Sequence, residues 1–346
     1  MLCYQPNLAP AQWGRLKTNR EALVKWGLLD VVPDRCGSHT LTVKKRVEKG
    51  VLKTSVSGGP TLTFTGNFKY KTAEGNWQPQ YGVSLFTFTS KMSCASFSLP
   101  AGANQALGSC AGSDRRAVES EGSYRRWHGP IGEKYICSFC YAGKGSYAIY
   151  PSISINQQVH LNWVFKTVKA GTFVDQMVSA LKFLQTPESR AKLALKGVSA
   201  DYFRIHDAGD FFDLAGEGEP FNPGYYLAWC EVARRLPKIH FWAPTRVWAL
   251  DKWMRVFQAN PPPPNLALRP SALSFGSAAP AIPGFSNGTT SMQIPETDRR
   301  RMIAIGGVNT WNCPAYMSDS DEKSCEKVGC RVCWRRSEMP VNYRSH

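Results

Sequence analysis

Residues 200–259 read ADYFRIHDAGDFFDLAGEGEPFNPGYYLAWCEVARRLPKIHFWAPTRVWALDKWMRVFQA, and the order of patterns in them decides the fold. DYFRI (201–205) is a short apolar run closed by a polar turn, which predicts a buried strand. PGYYLAWCEVARRLP (223–237) spaces its apolar residues as a helix does. KIHFWAPTR (238–246) predicts the next strand, and VWALDKWMRVFQA (247–259) the next helix, stopped by the prolines of NPPPPN (260–265). Strands alternating with helices imply parallel pairing through right-handed crossovers.

The pattern extends both ways. INQQVHLNWVFKTVKA (155–170), TFVDQMVSALKFLQ (172–185) and PESRAKLALKG (187–197) predict helices upstream. NLALRPSALSF (265–275) and RRMIAIGGV (300–308) predict further strands downstream. About four strands between 150 and 310 are too few for a complete eight-fold barrel. The expected class is α/β, as a partial (β/α) barrel or an open parallel sheet. The N-terminal segments HTLTVKKRVEKGVLKTSV (39–56) and PTLTFTGNFKY (60–70) alternate apolar and polar residues, which predicts an antiparallel sheet. A helix is expected before them over residues 10–29, and SLFTFTS (84–90) continues the strand pattern. This divides the chain into a β-rich basic N-terminal region at 1–90, an α/β core at 91–310 and a cysteine-rich, metal-binding tail at 311–346.

Seven of the eleven cysteines form two groups. The tail group is Cys313, Cys325, Cys330 and Cys333, within CPAYMSDSDEKSCEKVGCRVCW (313–334). The middle group is Cys110, Cys137 and Cys140, with Cys94 upstream as a candidate fourth ligand. A Cys-x2-Cys step aims two thiolates at one ion, and four sulfurs suit tetrahedral zinc or an iron–sulfur cubane. The tail segment holds few apolar residues, so a metal would supply its folding energy. Its single Cys-x2-Cys knuckle, where zinc ribbons use two, favours a 4Fe-4S cluster over zinc. Three ligands in the middle group would leave one iron open to S-adenosylmethionine; four would close it. The opposing possibilities are a structural zinc in the middle group and surface thiols in the tail. A further alternative merges the two groups, with Cys137 and Cys140 meeting Cys330 and Cys333 in one site.

Composition bounds the partners. The 346 residues carry a net charge of +16 and are 43% hydrophobic. That excess favours a polyanion, DNA or RNA, and Tyr124, Trp127 and Trp334 lie among arginines as base-stacking surfaces do. The alternative is a merely soluble basic surface. No run of eighteen apolar residues predicts a membrane span, and the first residues lack a secretory pattern. A cytoplasmic protein with reduced thiols is expected, where clustered cysteines read as metal sites. Oligomeric state and substrate are not legible.

The strand-end cluster His206, Asp207, Asp210 supplies candidate catalytic groups, since ligands of parallel α/β folds collect at the carboxyl ends of strands. Arg246 holds the matching position on the next strand and suits a carboxylate or phosphate. An N-cap and turn is the structural alternative for the Asp-Gly run, and an ion pair within the fold for Arg246. Cys230, Trp242, Trp248 and Trp253 are expected in the packing.

CSFCYAGKGSYAIYPSISINQQVHLNW (137–163), SFSLPAG (96–102), SCAG (109–112), RIHDAGDFFD (204–213) and the final cysteine pattern together resemble the phage "gene product eighty-eight" family over roughly residues 92–336. The resemblance implies a phage or prophage origin, an infected bacterial host and an iron–sulfur centre, and brings no established reaction. The Cys-Tyr-Ala element is similar also to three-Cys-motif phage proteins of radical S-adenosylmethionine type. Those proteins keep their three cysteines close together, whereas a basic insertion of about twenty-five residues separates Cys110 from Cys137 here. Two functions are therefore expected to compete. One is an iron–sulfur enzyme acting on nucleic acid or nucleotides, with radical S-adenosylmethionine chemistry as its candidate reaction. The other is a non-catalytic nucleic-acid-binding or regulatory protein with structural zinc or iron–sulfur sites.

Overall fold

The structure is a computed structural model. It describes the backbone of five strands within residues 29–84, and, with side chains apart from part of one helix, residues 84–89, 92–101, 109–110, 142, 151–215, 219–292, 300–316, 324–335 and 339–344. The expected helix at 10–29 lies almost wholly outside these residues, as do Cys137 and Cys140.

The N-terminal strands pair only with near neighbours in sequence. β1 (Leu29–Pro33) and β2 (His39–Val43) form an antiparallel pair. β3 (Val51–Thr54), β4 (Pro60–Lys71) and β5 (Trp77–Ser84) form a three-stranded antiparallel sheet, with a register shift between Thr63 and Phe68.

The central sheet has five strands in the order β10-β9-β8-β7-β6. β6 (Thr87–Phe88) is an antiparallel edge on β7 (Cys94–Phe97). β7, β8 (Ser199–Ile205), β9 (His240–Thr245) and β10 (Leu266–Pro270) are parallel and lie in sequence order. Each crossover therefore advances one strand in the same direction. Right-handed crossovers of that kind place their helices on one face. These are α1 (Pro151–Lys169), α2 (Phe173–Leu184) and α3 (Pro187–Ala194) before β8, α4 (Gly224–Arg235) before β9, and α5 (Asp251–Ala259) before β10. The sheet is open among the described residues, and no barrel closes.

Strand alternation then sorts the side chains between the two faces. Phe97, Phe203, Ile205, Phe241, Leu266 and Leu268 join the core under the helices, where Trp229 of α4 meets Phe97, Phe173, Phe203 and Phe241. α3 starts at Pro187, with the Thr186 hydroxyl accepting from the Ser189 N–H at 3.4 Å. Cys230, Trp242 and Trp253 are buried, as the sequence predicts, and Trp248 donates its indole N–H to the Ser271 carbonyl at 2.9 Å.

The opposite face carries Cys94, Tyr202, Trp242 and Arg269, and the C-terminal part of the chain covers it. There β11 (Thr289–Met292), β12 (Met302–Ile305), β13 (Val308–Asn312) and β14 (Val341–Arg344) form a second sheet in the order β11-β14-β13-β12. Two expectations change here. RRMIAIGGV forms an antiparallel hairpin with β13 rather than a strand of the parallel sheet, and SLFTFTS contributes β6 to the central sheet rather than to the N-terminal one. Because β13 pairs with β14 in parallel, the second sheet spans the boundary drawn at 310.

Arg269 locks the two layers together. It is fully buried, and its guanidinium donates to the carbonyls of Val332 (2.8 Å), Cys333 (3.0 Å), Arg335 (2.8 Å), Met339 (3.1 Å) and Asn287 (2.6 Å). A lysine has no planar fork to serve five acceptors. Arg269→Lys and Arg269→Met are each expected to cost about 3–5 kcal/mol, because carbonyls stay buried without donors. Chemical denaturation measures the loss, and hydrogen exchange is expected to localise it to residues 328–344.

Candidate functional site

Two neighbourhoods hold the chemistry-bearing residues. The first is the face covered by the tail. Cys313 and Cys333 are buried, packed with Cys94, Met92, Trp242 and Trp334, and Cys325 lies against them. Cys313 follows β13 directly, and its N–H bonds the Asn342 carbonyl at 3.0 Å. The 325–330 turn closes by the Cys330 N–H to the Cys325 carbonyl at 3.0 Å, and docks on the start of β7 by the Glu326 N–H to Ser93 Oγ at 2.7 Å. A short 3-10 turn over Val332–Trp334 hangs from Arg269, and the Trp334 indole N–H donates to the Phe203 carbonyl at 3.1 Å. All the described cysteines are free thiols.

The thiols act electrically on one another. Burial first, then repulsion from the sulfurs of Cys333, Cys325 and Cys330, holds the Cys313 thiol well above its ordinary value. Burial and the Cys333 and Cys330 sulfurs push Cys325 up to about 12. Burial also raises Cys333, against the pull of Arg269 and of the Tyr343 hydroxyl 3.1 Å from its sulfur. Cys94 is raised by burial and, after the opposing effect of Arg204, by Cys325. Cys94, taken from the sequence as a fourth member of the middle group, thus lies at the start of β7 against the tail thiols. Among the described residues, no three His, Cys, Asp or Glu side chains stand in ligating geometry. Cys94, Cys313 and Cys333 are buried in one neighbourhood, and Cys325 and Cys330 are half-buried beside them.

The second neighbourhood is at the carboxyl ends of β7, β8 and β9. Asp210 Oδ1 accepts from the Phe211 N–H (2.7 Å) and Thr245 Oγ1 (2.7 Å), and Oδ2 from the Arg246 N–H (2.8 Å). It ties β8 to β9, and burial raises its carboxyl to about 6 despite those donors. The Asp210 N–H bonds Ser109 Oγ at 3.1 Å, and that hydroxyl donates to the Pro100 carbonyl at 3.1 Å. Cys110 is therefore held just beyond the end of β7, with Cys94 at the strand's other end. Asp207 accepts from Thr87 Oγ1 at 3.2 Å. The Arg246 guanidinium reaches the Ala272 carbonyl at 3.4 Å. The structure thus brings Cys110, Asp207, Asp210 and Arg246 to one end of the sheet.

His206 turns the other way. It is buried against Phe211 and Tyr225, with Nε2 2.9 Å from the Tyr225 hydroxyl. Its Nδ1 is buried without a hydrogen-bond partner among the described residues, and its φ of 64° lies in the left-handed region. Burial, and then Arg204, lower its pKa to about 3. A neutral, enclosed imidazole fits a polar member of the core.

Sequence reasoning passed over Arg269, Arg204, Ser109, Tyr343 and His160. Arg204 bonds the His206 carbonyl at 3.0 Å and stacks 4.7 Å from the Trp242 ring centre. His160 sets one ring nitrogen 2.8 Å from the Ser98 carbonyl and the other 2.9 Å from the Ser84 carbonyl. A basic residue in an apolar strand such as NLALRP is the one signal that could have pointed to Arg269.

A family model described as Gene product 88 matches residues 62–336, well over half of the chain. No curated protein and no solved structure matches. No helix among the described residues is long and apolar enough to cross a membrane.

Gly209 lets the loop after β7 approach this edge. At φ +88°, an added Cβ would lie 2.4 Å from Ser109 Oγ and 2.6 Å from Leu99 Cβ. Gly209→Ala is expected to cost about 2–4 kcal/mol in thermal or chemical unfolding. His206 makes the fold acid-sensitive. Its folded value of about 3 lies below the unfolded 6.5, so the unfolded chain takes up the extra proton. This contribution is present in full above pH 6.5, is lost as pH falls toward 3, and amounts to at most about 5 kcal/mol. His206→Asn, which does not titrate and tolerates left-handed backbone, is expected to flatten that part of the stability-versus-pH curve.

Proposed function

We propose that this chain, which belongs to the Gene product 88 family, is a phage-type iron–sulfur protein that acts on nucleic acid or nucleotides in the cytoplasm of an infected host. The observation that carries the reading is the gathering of Cys313, Cys325, Cys330 and Cys333, spread over 21 residues of a polar tail, into one neighbourhood, with Cys313 and Cys333 buried and Cys325 and Cys330 half-buried beside them. Four thiols crowded this way are poor company for one another as thiolates, and a bound metal reverses that cost by attracting all of them. The donor set is all sulfur, which suits a cubane or zinc and disfavours a hard oxygen-loving cation. A closing of the side chains is required, since no three of the described sulfurs stand together in ligating geometry. Such a cluster supplies electrons or rigidity, and an open iron would be needed for S-adenosylmethionine.

Cys110, Cys137 and Cys140 are the proposed ligands of that second, open site. Support comes from Cys110, which follows Ser109 at the carboxyl edge of the sheet, beside Asp210. Asp207, Asp210 and Arg246 of that edge would line the space a substrate occupies. Asp210 positions β9 and the Arg246 backbone through its three accepted bonds, rather than standing exposed as a base. His206, enclosed by aromatic rings, is left out of proton transfer. The net charge of +16 supports a polyanionic partner.

A second reading keeps the nucleic acid and removes the catalysis. In it, zinc or a closed cluster staples the tail to the sheet. Its support is that the cysteine turns dock on structural positions, Ser93 and Phe203.

Iron, sulfide and zinc analysis with an absorption spectrum, on full-length protein purified without oxygen, separates the readings. The expected result is a brown protein with about four irons and four sulfides per cluster. Cys313→Ser with Cys333→Ser is expected to remove one cluster's worth of iron, and Cys110→Ser another. A spectral change on adding S-adenosylmethionine is expected to vanish in Cys110→Ser alone. Colourless protein with stoichiometric zinc and no sulfide would sink the iron–sulfur reading in favour of the second.

A further inference from the structure

A cleft of about 340 Å³ opens between the β12–β13 hairpin and the cysteine turn of the tail. Three arginines line it, Arg301, Arg331 and Arg335, together with Trp311, Pro314 and Cys330. They come from segments that only the fold brings together: Arg301 precedes β12, Trp311 belongs to β13, and the other two flank the 3-10 turn hung from Arg269. No carboxylate is among the described residues that line it.

The three guanidiniums differ in freedom. Arg331 is anchored: it pairs with Glu326, donates to the Cys330 carbonyl at 3.0 Å and stacks 4.8 Å from the Tyr202 ring centre. Arg301 and Arg335 are exposed residues. Arginine side chains converging on one concavity repel one another unless an anion joins them, and the planar guanidinium matches phosphate oxygens two at a time. Trp311 adds an indole face, and its Nε1 finds no acceptor among the described residues. Arginines beside one aromatic ring are the elements that hold a nucleotide, phosphate on the charge and base on the ring. The volume lies at the small end of ligand sites and suits about one nucleotide.

We propose that this cleft is a phosphate-binding site for single-stranded nucleic acid, in which Arg301 and Arg335 neutralise the backbone, Arg331 is the pre-set third contact, and Trp311 receives a base. The inference rests on the nucleic-acid part of the proposed function and places that contact beside Cys330, at the edge of the tail thiols.

The test is binding of a fluorescein-labelled single-stranded oligonucleotide to the full-length protein, by anisotropy over a series of salt concentrations. The Arg301→Ala/Arg335→Ala pair is compared with Arg234→Ala/Arg235→Ala, an equal loss of charge on the solvent side of α4. The cleft pair is expected to weaken binding at least about tenfold and to lower the slope of log K against log salt by about 1.4, at roughly 0.7 per phosphate contact. The α4 pair is expected to change neither by a comparable amount. Should the alanine pair misfold by circular dichroism, Arg301→Gln/Arg335→Gln keeps side-chain length and carries the same expectation. Wild-type affinity and slope in a folded cleft variant would overturn the site while leaving nucleic-acid binding elsewhere on the protein. An equal loss in both pairs would overturn it in favour of diffuse attraction to a basic surface. No binding by the wild-type protein would overturn the cleft and the nucleic-acid reading together, whatever the metal analysis returns.

Discussion

One buried guanidinium decides where the cysteine-rich tail of the chain sits. Arg269 projects from β10 to the face without helices and receives five carbonyls, four of them within residues 332–339. Burying a charge is costly, and charge-assisted hydrogen bonds are what offset it. The satisfied fork therefore specifies one docking position for a tail that has little apolar surface of its own. Trp334 and Trp242, edge to face at 5.5 Å, add the apolar part of the same contact. The grouping of the tail thiols depends on that docking, because it carries Cys333 under the sheet and toward Cys94 and Cys313.

The sheet thus has two working regions with different logic. Its helix-free face gathers sulfur, arginine and aromatic rings into a dry layer, where Arg204 and Arg331 lie on Trp242 and Tyr202. Its carboxyl edge gathers oxygen: Asp207, Asp210, Thr245, Ser109 and the carbonyls around them. Gly209 permits the close approach that brings Ser109, and with it Cys110, onto that edge. The tail thiols and the carboxylates lie at opposite ends of β7, with Cys110 on the carboxylate side.

Much of the architecture was legible along the chain. The alternation through 200–259 announced parallel strands and crossover helices, and β8, α4, β9 and α5 stand where those patterns lie. Apolar periodicity works there because each helix buries one stripe and each strand is short and bounded by turns. It failed where local pattern is shared by different partners. RRMIAIGGV reads correctly as a strand and SLFTFTS holds the two-residue strand Thr87–Phe88, but nothing local tells a strand which sheet it joins. The strand-end candidates divided in the same way: Asp207, Asp210 and Arg246 arrived together at the edge, while His206, adjacent in sequence, faces the aromatic core.

The sequence by itself determined the class of the fold, the family and the stock of thiols, since these rest on periodicity, spacing and residue type. Only the tertiary structure decided which thiols are neighbours. Cys94 and Cys325 are 231 residues apart in the chain, and their proximity is set by strand order, by the handedness of three crossovers and by the Arg269 clamp. The arginines of the small cleft come together for the same reason. Long-range neighbours depend on how layers stack, and no local pattern of side chains encodes that stacking.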